Sequence, residues 1–212
     1  MIARGRFITF EGIEGVGKST QLSALATQLA GSGREVVVTR EPGGTPLAER
    51  IRALVLGEAG EPVPAAAELL LMFAARAVHT ENLVRPALAR GAWVLCDRYT
   101  DATYAYQGAG RGVADTEITA LAAIAQRGLA PDLTLLLEAP VGVALERARR
   151  RNQGTDRIEA ETEAFFERAQ AGYRRRAALE PQRIRTIDAT QSVAEVTAAI
   201  WSAVESLGRR AA

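Results

Sequence analysis

Short, nearly continuous apolar runs recur five times along the chain, at about 7–11, 35–40, 93–97, 133–138 and 184–188. They are rich in Val, Ile, Leu and Phe, and Leu133-Thr134-Leu135-Leu136-Leu137 has the apolarity of a strand buried on both faces. Between them the spacing becomes helical, predicting helices at about 18–31, 45–56, 65–89, 115–128, 141–152, 160–179 and 192–207. Asp115 and Ser192 stand where helices are capped, and Gly31, Gly91 and Gly128 where they end. Strand and helix alternate, so the expected class is α/β, a five-stranded parallel sheet covered on both faces. Several strands end in a charged residue (Glu11, Arg40, Asp97, Glu138, Asp188), which gathers ionic groups at the carboxyl edge where such sheets bind ligands. Two connections, 41–46 and 149–157, carry glycine, proline or clustered charge and are expected to be functional. No internal repeat is visible.

Composition sets outer bounds. A length of 212 residues with 48% hydrophobic residues suits a single domain spanning 1–212. The balance of 26 basic against 25 acidic residues gives a net charge of +1, which excludes the broad cationic field of a nucleic-acid binder. The lone cysteine, Cys96, rules out an internal disulfide and reads as a small buried apolar residue, and the start of the chain lacks the apolar core of a secretion signal. Both suggest the cytoplasm. The apolar-rich stretch 63–77 is interrupted by Pro64, Glu68 and Arg76 and is too short to cross a bilayer, so no membrane partner is expected.

One detail of the charge carries chemistry. All the basic side chains but one are arginine, and the single lysine, Lys18, closes Gly12-Ile13-Glu14-Gly15-Val16-Gly17-Lys18-Ser19. That spacing fits the phosphate-loop pattern. Glycines allow positive φ, so the amides turn inward to form an anion nest at a helix start, and a compact ammonium reaches the outer phosphates where a planar guanidinium would not. Gly12, Ile13, Glu14, Gly15, Val16, Gly17, Lys18, Ser19 and Thr20 are thus expected to hold a nucleoside triphosphate, with the Ser19 hydroxyl on magnesium. A strand before the loop and a helix after it agree with this. The loop alone leaves ATPase, GTPase and kinase open.

Further segments narrow the choice. Phe10-Glu11-Gly12, Thr39-Arg40-Glu41-Pro42-Gly43-Gly44-Thr45, Met72-Phe73-Ala74-Ala75-Arg76, Asp97-Arg98-Tyr99, Ala105-Tyr106-Gln107-Gly108-Ala109-Gly110-Arg111-Gly112 and Ile187-Asp188-Ala189-Thr190 together resemble bacterial thymidylate kinases over nearly the whole chain. The resemblance implies a three-layer phosphate-loop NTPase fold with a short lid at about 149–157, and transfer of the γ-phosphoryl group of ATP to dTMP with Mg2+. It also implies a symmetric homodimer, to which the 65–89 helix could contribute.

Particular residues acquire roles by the same resemblance. Arg98, at a strand end, would fork onto the acceptor monophosphate, or else pair structurally with Asp97 or Glu11. Glu14, an odd carboxylate in an anion loop, would face the acceptor's 3′-hydroxyl. Arg149 and Arg151 are the candidate catalytic arginines of the lid. Arg76 would bind a base carbonyl while Phe73 or Met72 stacks on the ring. Thr103 and Gln107 correspond to base contacts, Tyr106 to a residue crowding the sugar's 2′ side, and Asp97 to a holder of magnesium's water shell. His79 reads as helix-surface polarity. Competing expectations are a kinase for another nucleoside monophosphate and a phosphate-loop ATPase switch.

Overall fold

Five parallel strands form one sheet in the computed structural model, which describes residues 5–57, 60–150, 157–158 and 160–209. They are β1 (Phe7–Glu11), β2 (Val36–Arg40), β3 (Trp93–Asp97), β4 (Leu133–Glu138) and β5 (Ile184–Asp188), in the order β2-β3-β1-β4-β5. The central strand β1 pairs Phe10 with Asp97 on one side and Glu11 with Leu136 on the other, so the charged strand ends converge. The pleat divides these strands by alternate residues. Ile8, Phe10 and Leu95 enter one apolar cluster, while Phe7, Val94 and Cys96 enter another on the opposite face. Neighbouring β1 and β3 lead onward toward opposite ends of the sheet, which makes the crevice beyond their carboxyl ends the place where a ligand fits.

Helices α1 (Lys18–Gly31), α2 (Pro46–Leu56), α3 (Ala65–His79), α4 (Arg85–Ala89), α5 (Thr100–Thr103), α6 (Asp115–Gln126), α7 (Val141–Arg150), α8 (Glu163–Leu179) and α9 (Val193–Arg209) fill the connections. Some ends are set by local chemistry. Thr162 caps α8 by accepting from the Phe165 amide, and Ser192 and Glu195 exchange hydrogen bonds as a capping box at α9. Asp115, expected as a cap, is instead the first residue of α6, where its charge suits the helix dipole; Ala114 precedes it.

Two regions depart from the periodicity. The helix expected over 65–89 is divided by a π-helical turn, Thr80–Val84. Pro86 lacks an amide hydrogen and its ring crowds the carbonyl four residues earlier, so the ladder widens before it. Where no helix was expected, α5 runs into a seven-residue π-helical segment, Tyr104–Gly110. Gly108 and Gly110 weaken any helical pattern there, yet the packing needs Gly110, where a Cβ would stand 2.6 Å from the Phe165 ring. A Cβ on Gly172 of α8 would stand 2.8 Å from the Ala109 Cβ and 2.9 Å from the Ala105 Cα. The two helices thus meet at backbone distance, and this contact holds the segment bearing Tyr106 and Gln107.

Candidate active site

The turn from β1 into α1 takes its shape from glycines with positive φ: 126° at Gly12, 77° at Gly15 and 94° at Gly17. Gly15 has a second constraint, since a Cβ there would fall 1.8 Å from the Ala144 carbonyl oxygen. Ile13 and Val16 are buried in the core, leaving only their backbone to a ligand, while Ser19 and Thr20 are exposed. Lys18 is buried, and its Nζ donates to the carbonyl oxygens of Gly12 at 3.0 Å and Ile13 at 2.9 Å. Burial, then the neighbouring Arg98 charge, lowers its ammonium to about 8, against the opposing pull of Asp97, Glu14 and Glu11. The loop therefore holds a cation short of negative charge.

A cavity of about 610 Å³ opens here. Its walls include Glu14, Gly15, Gly17, Lys18, Ser19 and Thr20 from the loop and the start of α1, Asp97 at the end of β3 and Arg98 after it, Met72 of α3, and Tyr106 and Gln107 of the π-helical segment. Arg40, Glu41, Pro42, Arg52 and Arg147 also border it. Donor-side and acceptor-side candidates thus share one space.

At its centre Arg98 has φ 72°, an uncommon conformation for a non-glycine residue. Its amide donates to the Phe10 carbonyl at 2.9 Å, which ties the turn to β1. Nη1 donates to the Gly12 carbonyl at 2.9 Å and to the Tyr173 hydroxyl at 3.0 Å; Nη2 donates to Glu14 Oε1 at 2.7 Å. The ion-pair partner is Glu14, not the Asp97 or Glu11 that adjacency suggested. Tyr106 donates its hydroxyl to the other Glu14 oxygen at 2.7 Å, and its ring lies 4.8 Å from the Arg98 guanidinium. The carboxylate in the anion loop is thereby compensated from two directions.

Tyr173 was not singled out in the sequence. It lies 162 positions from Glu11, to which its hydroxyl donates at 2.8 Å, and no periodicity links the two. Glu11 is fully buried, and burial followed by the Asp101 charge raises its carboxyl to about 7.

The base-side candidates sit deeper. Arg76, fully buried, donates Nε to Glu41 Oε2 at 2.6 Å and Nη2 to the Tyr99 carbonyl at 3.1 Å, between the rings of Phe73 and Tyr99 at 4.8 and 5.0 Å. Its Nη1 has no partner. Among the described residues, the buried side-chain polar atoms left without a partner are Arg76 Nη1, Asp97 Oδ1, Thr103 Oγ1 and Gln107 Oε1. Such atoms are costly to leave unmade. Each belongs to a residue that sequence reasoning assigned to a ligand. Arg76 and Thr103 do not themselves line the cavity; Asp97 and Gln107 do.

Met72 lines the cavity, whereas Phe73 packs with Leu69, Tyr104 and Ile118 and supports the Arg76 guanidinium. His79 is not a surface residue: it is fully buried, with Nδ1 2.8 Å from Glu41 Oε1 and Nε2 2.7 Å from Thr39 Oγ1. Helical spacing put it one turn past Arg76, but not under the loop after β2, where a Cβ on Gly44 would come within 2.7 Å of its ring. Glu41, which joins Arg76 to His79, and Glu68, which binds Gln107, were likewise missed; a carboxylate within an apolar stretch was the only signal for Glu68.

On the side of α7, Arg147 borders the cavity and donates to the Ala189 carbonyl at 2.8 Å, while Arg149 is exposed and does not border it. Arg151 and most of the 149–157 lid lie outside the described residues. Asp97, with one buried oxygen free, and the exposed Ser19 suit a magnesium ion. No group of three or more His, Cys, Asp or Glu among the described residues could form a protein cage, so a cation here would take its other ligands from phosphate oxygens and water. Among the described residues no helix is long and apolar enough to cross a membrane.

Comparison with known proteins bears on the family and the fold. The family model described as thymidylate kinase matches residues 10–200. The thymidylate kinase of Chromohalobacter salexigens is 57% identical over 197 residues, 92% of this chain and 93% of the relative. That of Teredinibacter turnerae is 55% identical over 95% of this chain and 98% of its own length. The crystal structure of thymidylate kinase from Ehrlichia chaffeensis superposes with a TM-score of 0.76 at 31% identity, covering 95% of this chain and 99% of that one. A phosphate loop facing a cavity with unsatisfied polar atoms, and likeness extending across nearly the full length, lead to one assignment: the chain belongs to the thymidylate kinase family.

Proposed function

We propose that the chain transfers the γ-phosphoryl group of ATP to dTMP, giving dTDP and ADP. The observation that carries this reading is the set of orphaned buried atoms, Arg76 Nη1, Asp97 Oδ1, Thr103 Oγ1 and Gln107 Oε1, of which Asp97 and Gln107 belong to residues lining the cavity that the phosphate loop enters. The loop amides and Lys18 hold the donor. Ser19 and Asp97 hold magnesium, which when bound neutralises charge on the phosphate oxygens. Arg98 binds the acceptor phosphate, exchanging part of its pairing with Glu14 for phosphate oxygens, and the released carboxylate oxygen accepts from the acceptor's 3′-hydroxyl. Arg76 donates to a base carbonyl, Thr103 and Gln107 complete the base contacts, and Met72 gives the apolar face. Tyr106, held by Glu14, excludes a ribose 2′-hydroxyl. The arrangement works by alignment and charge neutralisation, with Arg149 or Arg151 in a lid that completes it over the donor.

A second copy of the chain is the expected protein partner. Leu54, Leu70 and Ile124 are exposed on α2, α3 and α6, with α3 packed against both of the others, and these exposed apolar side chains support a symmetric homodimer. The cytoplasm is the compartment this chemistry fits. The deciding experiment is an ADP-release assay over a panel of nucleoside monophosphates, with and without magnesium. Turnover with dTMP should exceed that with AMP, CMP and UMP by a wide margin and require the metal. Comparable rates across the panel would refute the acceptor assignment, and hydrolysis unstimulated by any monophosphate would favour an ATPase switch.

A further inference from the structure

Gln107 lines the cavity and is buried, and its two terminal atoms have different fates. Nε2 donates to Glu68 Oε1 at 2.8 Å, whereas Oε1 has no partner. An amide's nitrogen and oxygen are ordinarily interchangeable by a half-turn, so its orientation must be dictated by a neighbour. Here the neighbour is a carboxylate, which only accepts. Glu68 is itself held ionised: burial alone would raise its carboxyl, but the hydrogen bonds from Gln107 and Arg157 and the charges of Arg111 and Arg157 bring it below the usual range. Arg157 Nη2 approaches Oε2 at 2.6 Å, and Arg111 reaches both oxygens at 3.4 Å while pairing with Glu161. With Glu68 unable to donate, Gln107 cannot turn over without facing two acceptors toward each other. The side of Gln107 left for a ligand is a bare acceptor.

We propose that Glu68 is a positioning residue that fixes the polarity of base recognition, holding Gln107 so that its carbonyl oxygen alone is offered to the acceptor's base. This rests on the reading of Gln107 as a base contact. A bare acceptor suits a pyrimidine whose ring N3 carries a hydrogen, as in thymine, and meets cytosine's N3 lone pair with a second lone pair. Arg76 Nη1, a donor without a partner, repeats the choice, since it suits a ring carbonyl and opposes an exocyclic amine. Discrimination against an amino-pyrimidine then comes from a carboxylate that does not line the cavity.

The test compares KM for dTMP with the inhibition constant of dCMP as a competitor, so dCMP need not turn over. Glu68→Gln supplies a side chain that can donate as well as accept, which frees Gln107 to reverse. Glu68→Asp keeps the charge beside Arg111 and Arg157 but withdraws the oxygen from Gln107, so it tests the same step in an intact ionic cluster. Both should narrow the dTMP preference about tenfold, with KM for ATP unchanged. In a Gln107→Met background the same changes at Glu68 should leave the preference where Gln107→Met puts it. A merely structural Glu68 would lower turnover and melting temperature without altering the preference, and that result overturns the proposal. So does an undiminished effect of Glu68→Gln in the Gln107→Met background. If Gln107→Met alone leaves the preference at the wild-type value, the base-contact reading falls and the proposal with it; if only the Glu68 variants are silent, that reading stands.

Discussion

Replacing Gly172 by alanine adds one methyl group on α8, outside the cavity, and is expected to act on the acceptor. The new carbon would meet Ala109 Cβ at 2.8 Å and Ala105 Cα at 2.9 Å, where carbon atoms prefer about 3.5–4.0 Å. One of those obstacles is main chain and the other is bonded directly to it, so no side chain can swing aside. The π-helical segment must retreat by about 1 Å. Overpacking costs roughly 1–3 kcal/mol, offset by about 1 kcal/mol from replacing a helical glycine, so the melting temperature should fall by only a few degrees. Function should suffer more, because the retreating segment carries Tyr106 and Gln107, and a displacement of about 1 Å can cost on the order of a hundredfold in rate. Steady-state kinetics should show kcat/KM for dTMP reduced by about that factor with KM for ATP nearly constant, since the phosphate loop sits on β1 and α1. Gly108→Ala is the contrast: its Cβ would meet the tip of Ile118 at 3.2 Å, an obstacle that can yield. Wild-type kcat/KM for dTMP in Gly172→Ala would refute the claim that backbone contact between α8 and this segment sets the acceptor geometry.

Two further changes probe the electrostatics. Glu11 has its carboxyl raised from 4.5 to about 7, so the fold favours its protonated form; that contribution is fully present below 4.5 and is lost as pH rises through about 7, a change on the order of 3 kcal/mol. Glu11→Gln should therefore melt several degrees higher relative to wild type at pH 8 than at pH 5, and an equal difference at both pH values would contradict the buried-carboxyl account. For the lid, Arg151→Ala should lower kcat by a factor on the order of a thousand with far less effect on KM for dTMP. Wild-type turnover in both Arg149→Ala and Arg151→Ala would remove the lid arginines from the mechanism.

The sheet was legible because most of its strands are nearly continuous apolar runs, β5 with Arg185 and Thr186 being the least so; β1, β3, β4 and β5 match the expected limits and β2 begins one residue later. The phosphate loop was legible because its chemistry is local, eight consecutive residues whose spacing has one use. What escaped was carried by distance. Tyr173 reaches Glu11 across the chain, Glu41 in the loop after β2 is shared by Arg76 and His79 of α3, and Glu68 reads as an interruption in an apolar stretch until Gln107 and two arginines are folded around it. The helix at 100–110 was hidden because glycine lowers helix propensity for the same reason that it permits close packing: it has no side chain.

Lys18 is the only ε-amine in the 212 residues, and it rests in the free protein near 8. In mildly alkaline solution a share of molecules accordingly carries it uncharged, held by the Gly12 and Ile13 carbonyls in the donor site. An arriving triphosphate restores the charge by drawing a proton from the buffer. Donor affinity is thus tied to alkalinity and should weaken as pH rises through about 8.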